Sequence, residues 1–162
     1  MNNLKKLQER VREISHDLNN DREFDQIDFS LAIKALIQPL QDAGIKTDIN
    51  YINSFSWSDI STAIKLELFR ILQEAVTNTT KYAQAQTFTV ELSKENNLFI
   101  MQIQDDGKGF DMETRSKGIG LKNMKERAKK IKATLSIDSQ IGKGTLIKLS
   151  IPLAEEKKKE LI

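Results

Sequence analysis

Apolar residues recur along this chain with two different periods. At its start Leu4, Leu7, Val11, Ile14 and Leu18 fall at steps of three and four, the narrow seam of a coiled coil or helical bundle. A seam of about two and a half heptads is too short to hold as a lone helix. It reads either as a helix packed on its own domain or as the stub of a longer dimerising helix. Asn19-Asn20-Asp21 breaks the pattern, and a polar, acid-rich linker follows over 21–29. A helix is predicted over 28–43, with Asp28 as its cap, Leu31, Ala35, Leu36 and Leu40 as its apolar stripe, and Gly44 as its stop. Pro39 inside it predicts a kink, or an end near Gln38. Positions 45–52 suggest a strand with imperfect alternation.

The strongest helical pattern runs over 59–83, where Ile64, Leu68, Ile71, Leu72, Ala75 and Val76 recur without Gly or Pro. The period then changes to two. Runs at 87–93 and 98–104 alternate on either side of Lys94-Glu95-Asn96-Asn97, which predicts a β-hairpin. A glycine-bearing loop over 105–117 leads into a basic helix that ends near Lys132. A second hairpin pairs 134–138 with 145–151 around Ile141-Gly142-Lys143-Gly144.

Composition narrows the picture. With 162 residues and 39% hydrophobic content, one domain with a short appendage and a two-layer core is expected. A net charge of +2 gives no global pull toward nucleic acid. The absence of cysteine excludes a disulfide scaffold and a thiolate metal site, and suits a reducing cytoplasm. Neither a membrane span nor a signal peptide is visible, and 154–162 reads as a solvated charged tail.

Four short motifs carry the chemistry. In Glu74-Ala75-Val76-Thr77-Asn78 the two polar ends lie one turn apart on a helix face that also holds Ile71. Polar groups on such a stripe are costly unless something binds them. An amide oxygen suits Mg²⁺, and Glu74 can hold one of the ion's waters; a solvated helix edge accounts for the same pair. Asp105-Asp106-Gly107-Lys108-Gly109 follows a predicted strand. Its glycines permit positive φ and close approach, and Asp105 can accept from a planar amine such as that of adenine; an ordinary turn is the plainer reading. Gly118-Ile119-Gly120-Leu121 opens the basic helix, where free N–H groups and the helix dipole favour phosphate. It is neither a Walker A loop nor a dinucleotide fingerprint. Lys108, Lys117 and Lys122 stand near enough to add charge, while Lys125, Lys129 and Lys130 read as a solvated face. Gly142-Lys143-Gly144-Thr145 fits a hairpin turn. The information lies in the order of the four.

In that order they resemble the catalytic ATP-binding domain of bacterial sensor histidine kinases, in the superfamily with gyrase B and Hsp90, over about 30–153. The resemblance implies an α+β, two-layer α/β sandwich, the Bergerat ATP-binding fold. Its mixed, mostly antiparallel sheet packs on about three helices, and here an N-terminal helix stub precedes it. Asn78 matches the family's Mg²⁺ ligand, and Glu74 the carboxylate that orders water or polarises the reaction. Asp105 matches the adenine-recognising residue, with Gly107 and Gly109 on the same wall. Gly118 and Gly120 match the glycines that end the ATP lid, so the Gly120 and Leu121 amides are expected at phosphate, and Thr145 matches the hydroxyl that supports adenine through water. Tyr82 stands where His is common, with Lys81 beside it as a candidate phosphate-side charge. Thr79-Thr80 replaces a usual apolar pair.

The run from Gly118 to Ala128 is similar to the short-lid subfamily that partners response regulators with helix-turn-helix output domains. On this resemblance ATP and Mg²⁺ are the cofactors, and the γ-phosphoryl goes to a histidine outside the chain. His16 superficially echoes a phosphoacceptor box, but only 61 residues separate it from Asn78. Residues 1–20 are instead similar to the second helix of a dimerisation hairpin. That hairpin and the response regulator are then partners, a weak homodimer through residues 4–18 is a further contact, and the parent protein is anchored, where it is anchored, through regions outside this chain. An anti-sigma-type serine kinase or binding module of the same superfamily is the alternative.

Overall fold

The computed structural model describes residues 28–115 and 118–153, together with the isolated helical positions Lys5, Lys6, Glu9 and Glu13. The heptad seam, His16, most of the acidic linker, Lys117 and the charged tail lie outside the described residues. The elements are α1 (Phe29–Asp42), β1 (Lys46–Tyr51), a short 3-10 turn (Trp57–Asp59) and α2 (Thr62–Asn78). A π-helical turn (Thr79–Ala83) then leads to β2 (Thr87–Glu95), β3 (Leu98–Asp105), a one-turn α3 (Met112–Arg115), α4 (Ile119–Lys130), β4 (Thr134–Gln140) and β5 (Gly144–Pro152). Both predicted hairpins are present. The first turns on Asn96-Asn97, where Asn96 takes φ of 54°.

The five strands form one sheet in the order β1-β2-β3-β5-β4. All pairs are antiparallel except β1 with β2, which run parallel because α2 crosses between them. Alternation in β2, β3 and β5 turns Phe88, Val90, Leu92, Phe99, Met101, Ile103, Ile147, Leu149 and Ile151 to one buried face, on which the helices pack. Register stacks these residues in rungs: Val90, Ile103, Ile147 and Ile137 form one, and Leu92, Met101, Leu149 and Leu135 the next. The rung at the far end is Phe88, Asp105, Thr145 and Ser139. There the core face turns polar, and there the functional site begins.

One expectation for α1 is corrected. Asp28 does cap it, accepting from the Ser30 and Leu31 amides at 3.0 and 3.4 Å, and Ala35 and Leu40 are buried as expected, but Leu31 is exposed and the buried stripe also takes in Phe29, Ala32, Ile33 and Ile37. Apolar residues fill two overlapping stripes in this segment, and tertiary contact decides between them. Phe29 packs edge-on against Trp57, 4.5 Å between centroids, which sets the roll of the helix. Of the two outcomes expected at Pro39, an end near Gln38 does not occur. The helix continues through Pro39 to Asp42. An interior proline costs about 3 kcal/mol, whereas full burial of Ile37 and Leu40 contributes roughly 1.5–3 kcal/mol each.

The long helix also differs at its ends. α2 starts at Thr62, where the Ser61 hydroxyl accepts from the Ile64 amide at 3.3 Å, and Asp59 belongs to a separate capping box with Ser56. After Asn78 the helix widens into the π turn and stops at Gln84, whose φ is 50°. Such turns occur mostly as single insertions near functional groups.

Candidate functional site

Leu68, Leu72, Ala75 and Val76 carry the buried stripe of α2 toward its C-terminal end, and Thr79 continues it at 3% exposure. Glu74 and Asn78 stand beside this stripe, half-buried, on the edge that faces α4. Neither side chain makes a protein hydrogen bond among the described residues. Both line a cavity of about 340 Å³, within the usual range of small-ligand sites. Asp105, Gly109, Thr145, Gly118, Gly120, Leu121 and Tyr82 line it too, so residues of all four motifs and most of the predicted residues meet at one place. Ala75, Phe88, Ile103 and Ile147 supply an apolar flank.

Asp105 is held ready rather than neutralised. Its Oδ1 accepts the Gly107 amide at 2.9 Å and its Oδ2 accepts the Thr79 hydroxyl at 3.4 Å. Burial pushes its carboxyl above the usual value, against the Gly107 and Thr79 hydrogen bonds. Asp106 does the opposite job. The Thr87 and Gln86 amides donate to its Oδ1 at 2.8 Å each, which holds its carboxyl below the usual range and ties the loop to the start of β2. Thr79 was legible only as an odd departure from the family pattern, and the structure explains it. An apolar residue there would leave the buried carboxylate one donor short. If adenine binds at Asp105 as the resemblance implies, Thr79→Val is expected to weaken adenine-nucleotide affinity by about three- to tenfold, the worth of one modest hydrogen bond, and to lower the unfolding temperature by a few degrees at most. Calorimetric titration beside a thermal melt measures both.

Gly107 does not line the cavity. It lies under the π turn, where a Cβ would run into the Ala83 backbone, and the Lys108 amide donates to Ala83 O at 2.6 Å. Gly109, at φ of 61°, packs against the Gln140 carbonyl, and the Gly142 amide donates to Lys108 O at 2.7 Å. The first loop is thus stitched both to the π turn and to the second hairpin. Ser139, which the sequence reading passed over, completes the joint. Its hydroxyl accepts the Phe110 amide at 3.0 Å and donates to Gly144 O at 3.1 Å. With its single proton so used, the 2.9 Å contact with Thr145 must take the proton from Thr145, which leaves the Thr145 oxygen free to accept from the cavity.

Gly118 caps α4 without a side chain, and the first turn of α4 borders the cavity. A Cβ on Gly120 would strike the Glu74 carboxylate. Lys108 lines the cavity, whereas Lys81 is exposed and stands outside its wall. No three His, Cys, Asp or Glu side chains converge among the described residues. The oxygens of Asn78 and Glu74 fit Mg²⁺, which takes one or two protein ligands and completes its shell with water and phosphate.

The family described as Histidine kinase-, DNA gyrase B-, and HSP90-like ATPase matches residues 63–155. The signal transduction histidine-protein kinase/phosphatase DegS of Bacillus subtilis is 38% identical over 99 residues, 59% of this chain and 26% of its own length. Sensor protein VraS of Staphylococcus epidermidis is 37% identical over 125 residues, 76% of this chain and 35% of its own. The chain thus spans about a quarter to a third of these relatives. Among solved structures, the histidine kinase domain of the Erythrobacter litoralis EL346 blue-light activated kinase superposes with a TM-score of 0.66 at 14% identity, over 92% of this chain and 96% of that one. The Acinetobacter baumannii histidine kinase AdeS superposes at 0.62, covering 91% and 76%. With its four motifs gathered on this fold, the chain belongs to the histidine kinase-, DNA gyrase B- and HSP90-like ATPase family, as an ATP-binding domain.

Proposed function

We propose that the chain is the catalytic ATP-binding domain of a two-component sensor histidine kinase, which passes the γ-phosphoryl of ATP to a histidine outside this chain. One observation carries the reading. Glu74, Asn78, Asp105, the first turn of α4 and Thr145 come from segments far apart in sequence and line one cavity of nucleotide size. Asp105, set by Gly107 and Thr79, accepts the adenine amine, and Thr145 supports the base through water. Phe88, Ile103 and Ile147 flank the ring, while Gly109 keeps the loop close. The Gly120 and Leu121 amides meet phosphate at the positive end of α4. Asn78 would hold Mg²⁺ directly and Glu74 through water. That ion, when bound, neutralises charge developing on the phosphates; positioning is the protein's larger contribution. Lys108 and Lys122 add positive charge to the same side.

A phosphoacceptor helical hairpin and a helix-turn-helix response regulator are the partners of this reading, with residues 1–20 as the end of that hairpin. A relative named a signal transduction histidine-protein kinase and another named a sensor protein support a signalling kinase in general, and the α4 motif supports the regulator type. No described helix is long and apolar enough to cross a membrane, so attachment to one would come from elsewhere.

Incubation with Mg²⁺, radiolabelled ATP and a separate phosphoacceptor hairpin bearing a histidine is expected to give acid-labile phosphate on the hairpin. Asn78→Ala is expected to lower the rate at least tenfold and to remove most of the Mg²⁺ dependence of ATP affinity. Acid-stable phosphoserine on a partner would point to an anti-sigma-type kinase instead. Absence of ATP binding at millimolar concentration would remove the reading altogether.

A further inference from the structure

The face of α2 that carries Glu74 does not end at the nucleotide cavity. On its far side Arg70, Gln73, Glu74 and Thr77 look across to Asn123 and Arg127 of α4 over a second, polar cavity of about 200 Å³. Glu74 lines both cavities and forms the wall between them. Arg127 Nη1 donates to Glu67 Oε2 at 3.2 Å, and their side chains are only 27% and 13% exposed. The Lys94–Asp59 pair, at 3.7 Å, is more open on both sides. An open pair contributes little, whereas breaking a sheltered one leaves a poorly solvated charge behind.

Arg70 shares this arrangement. It follows Glu67 by three positions and precedes Glu74 by four, one helical turn from each. Burial and the nearby Arg127 charge lower its pKa, and Glu67 opposes them. Two guanidinium groups therefore lie near one carboxylate, and the Glu67–Arg127 bond links α2 to α4 at this end.

We propose that Arg127, through its bridge to Glu67, is a positioning residue that sets the tilt of α4 on α2, and so governs how tightly the phosphate tail, rather than the base, of the nucleotide is held. The apolar contact of α4 is a single stripe, Leu121, Met124 and Ala128, which permits rolling about its own line. The bridge lies beside that stripe and removes the freedom. At the other end of the helix the clearance is minimal, since Gly120 abuts Glu74. A small tilt therefore changes the distance between the phosphate-facing amides and the Glu74 and Asn78 edge. The base is held by β3, β5 and the π turn, none of which Arg127 touches. The inference rests on the reading that phosphate binds at the first turn of α4.

The test compares adenosine, ADP and ATP with Mg²⁺ by calorimetric titration on the full chain. Arg127→Met is expected to leave adenosine affinity within about twofold and to cut the gain of ATP over adenosine about tenfold. Arg127→Lys, which restores the charge, is expected to recover most of that gain. Should Arg127→Met not unfold cooperatively, Glu67→Gln carries the same comparison. Equal losses for all three ligands would make the bridge a general support of the fold, and unchanged affinities would make it incidental; either overturns the proposal. Wild-type protein that binds none of the three would instead defeat the nucleotide-site reading itself.

Discussion

Asp105→Asn is expected to remove most nucleotide binding while leaving the fold intact or firmer. The carboxylate is a charged acceptor in a half-apolar pocket, and losing such a bond costs about 1.5–3 kcal/mol, or ten- to roughly a hundredfold in affinity. At ligand a hundredfold above Kd, binding stabilises wild type by about 2.7 kcal/mol. A tenfold loss reduces this to about 1.4 kcal/mol and a hundredfold loss to about 0.4 kcal/mol, so the shift in unfolding temperature should fall by about half at the least and nearly vanish at the hundredfold end. The unliganded protein should respond in the other direction. Burial raises the folded-state pKa of Asp105 above its unfolded value. The folded chain therefore holds a proton there more readily, and stability from this group falls as pH rises through the window between the two values. Above that window the full cost of a buried carboxylate is present, and Asn abolishes it. Thermal melts at neutral pH, with and without ATP and Mg²⁺, separate the two effects. An Asn variant that melts lower than wild type without ligand, or that keeps the ATP shift, would refute this account.

That opposition also explains which parts of the site could be read from sequence. Glu74, Asn78, Asp105 and the glycines stand at fixed offsets from elements whose periods are plain, so their places follow from the pattern. The supporting residues do not follow from it. Thr79 matters because a π turn continues the buried face of α2 past Asn78, and no local period announces a widened turn. Ser139 sits on a strand whose alternation looks unremarkable, yet register sets it in the same rung as Asp105 and Thr145. Both residues act through long-range pairing, which a single chain pattern underdetermines. The exposure of Leu31 in α1 was missed for a related reason: the choice of stripe lay with Trp57 and the core, not with the helix. The parallel placement of β1 was likewise set by the α2 crossover and not by its six residues.

Gly144→Ala is expected to be strongly disruptive at the site, and Gly142→Ala, two residues away, provides its control. Both glycines have positive φ, 78° and 83°, so each alanine pays roughly 1–2 kcal/mol for a left-handed backbone. Their surroundings differ. A Cβ on Gly142 meets nothing within 4 Å, whereas one on Gly144 runs into the Asp105 carbonyl on the neighbouring strand. Backbone cannot rotate away as a side chain can, so β5 must move off β3, adding about 1–3 kcal/mol. The movement falls on the rung that holds Asp105 and Thr145, and it strains the Ser139 bond to Gly144 O. Denaturant unfolding should therefore separate the two variants by at least about 1 kcal/mol. Nucleotide titration should show a loss of tenfold or so in the Gly144 variant alone. Equal destabilisation of the two would mean that the strands can part here without cost, and that the close approach of β5 to Asp105 is not what aligns the adenine end of the site.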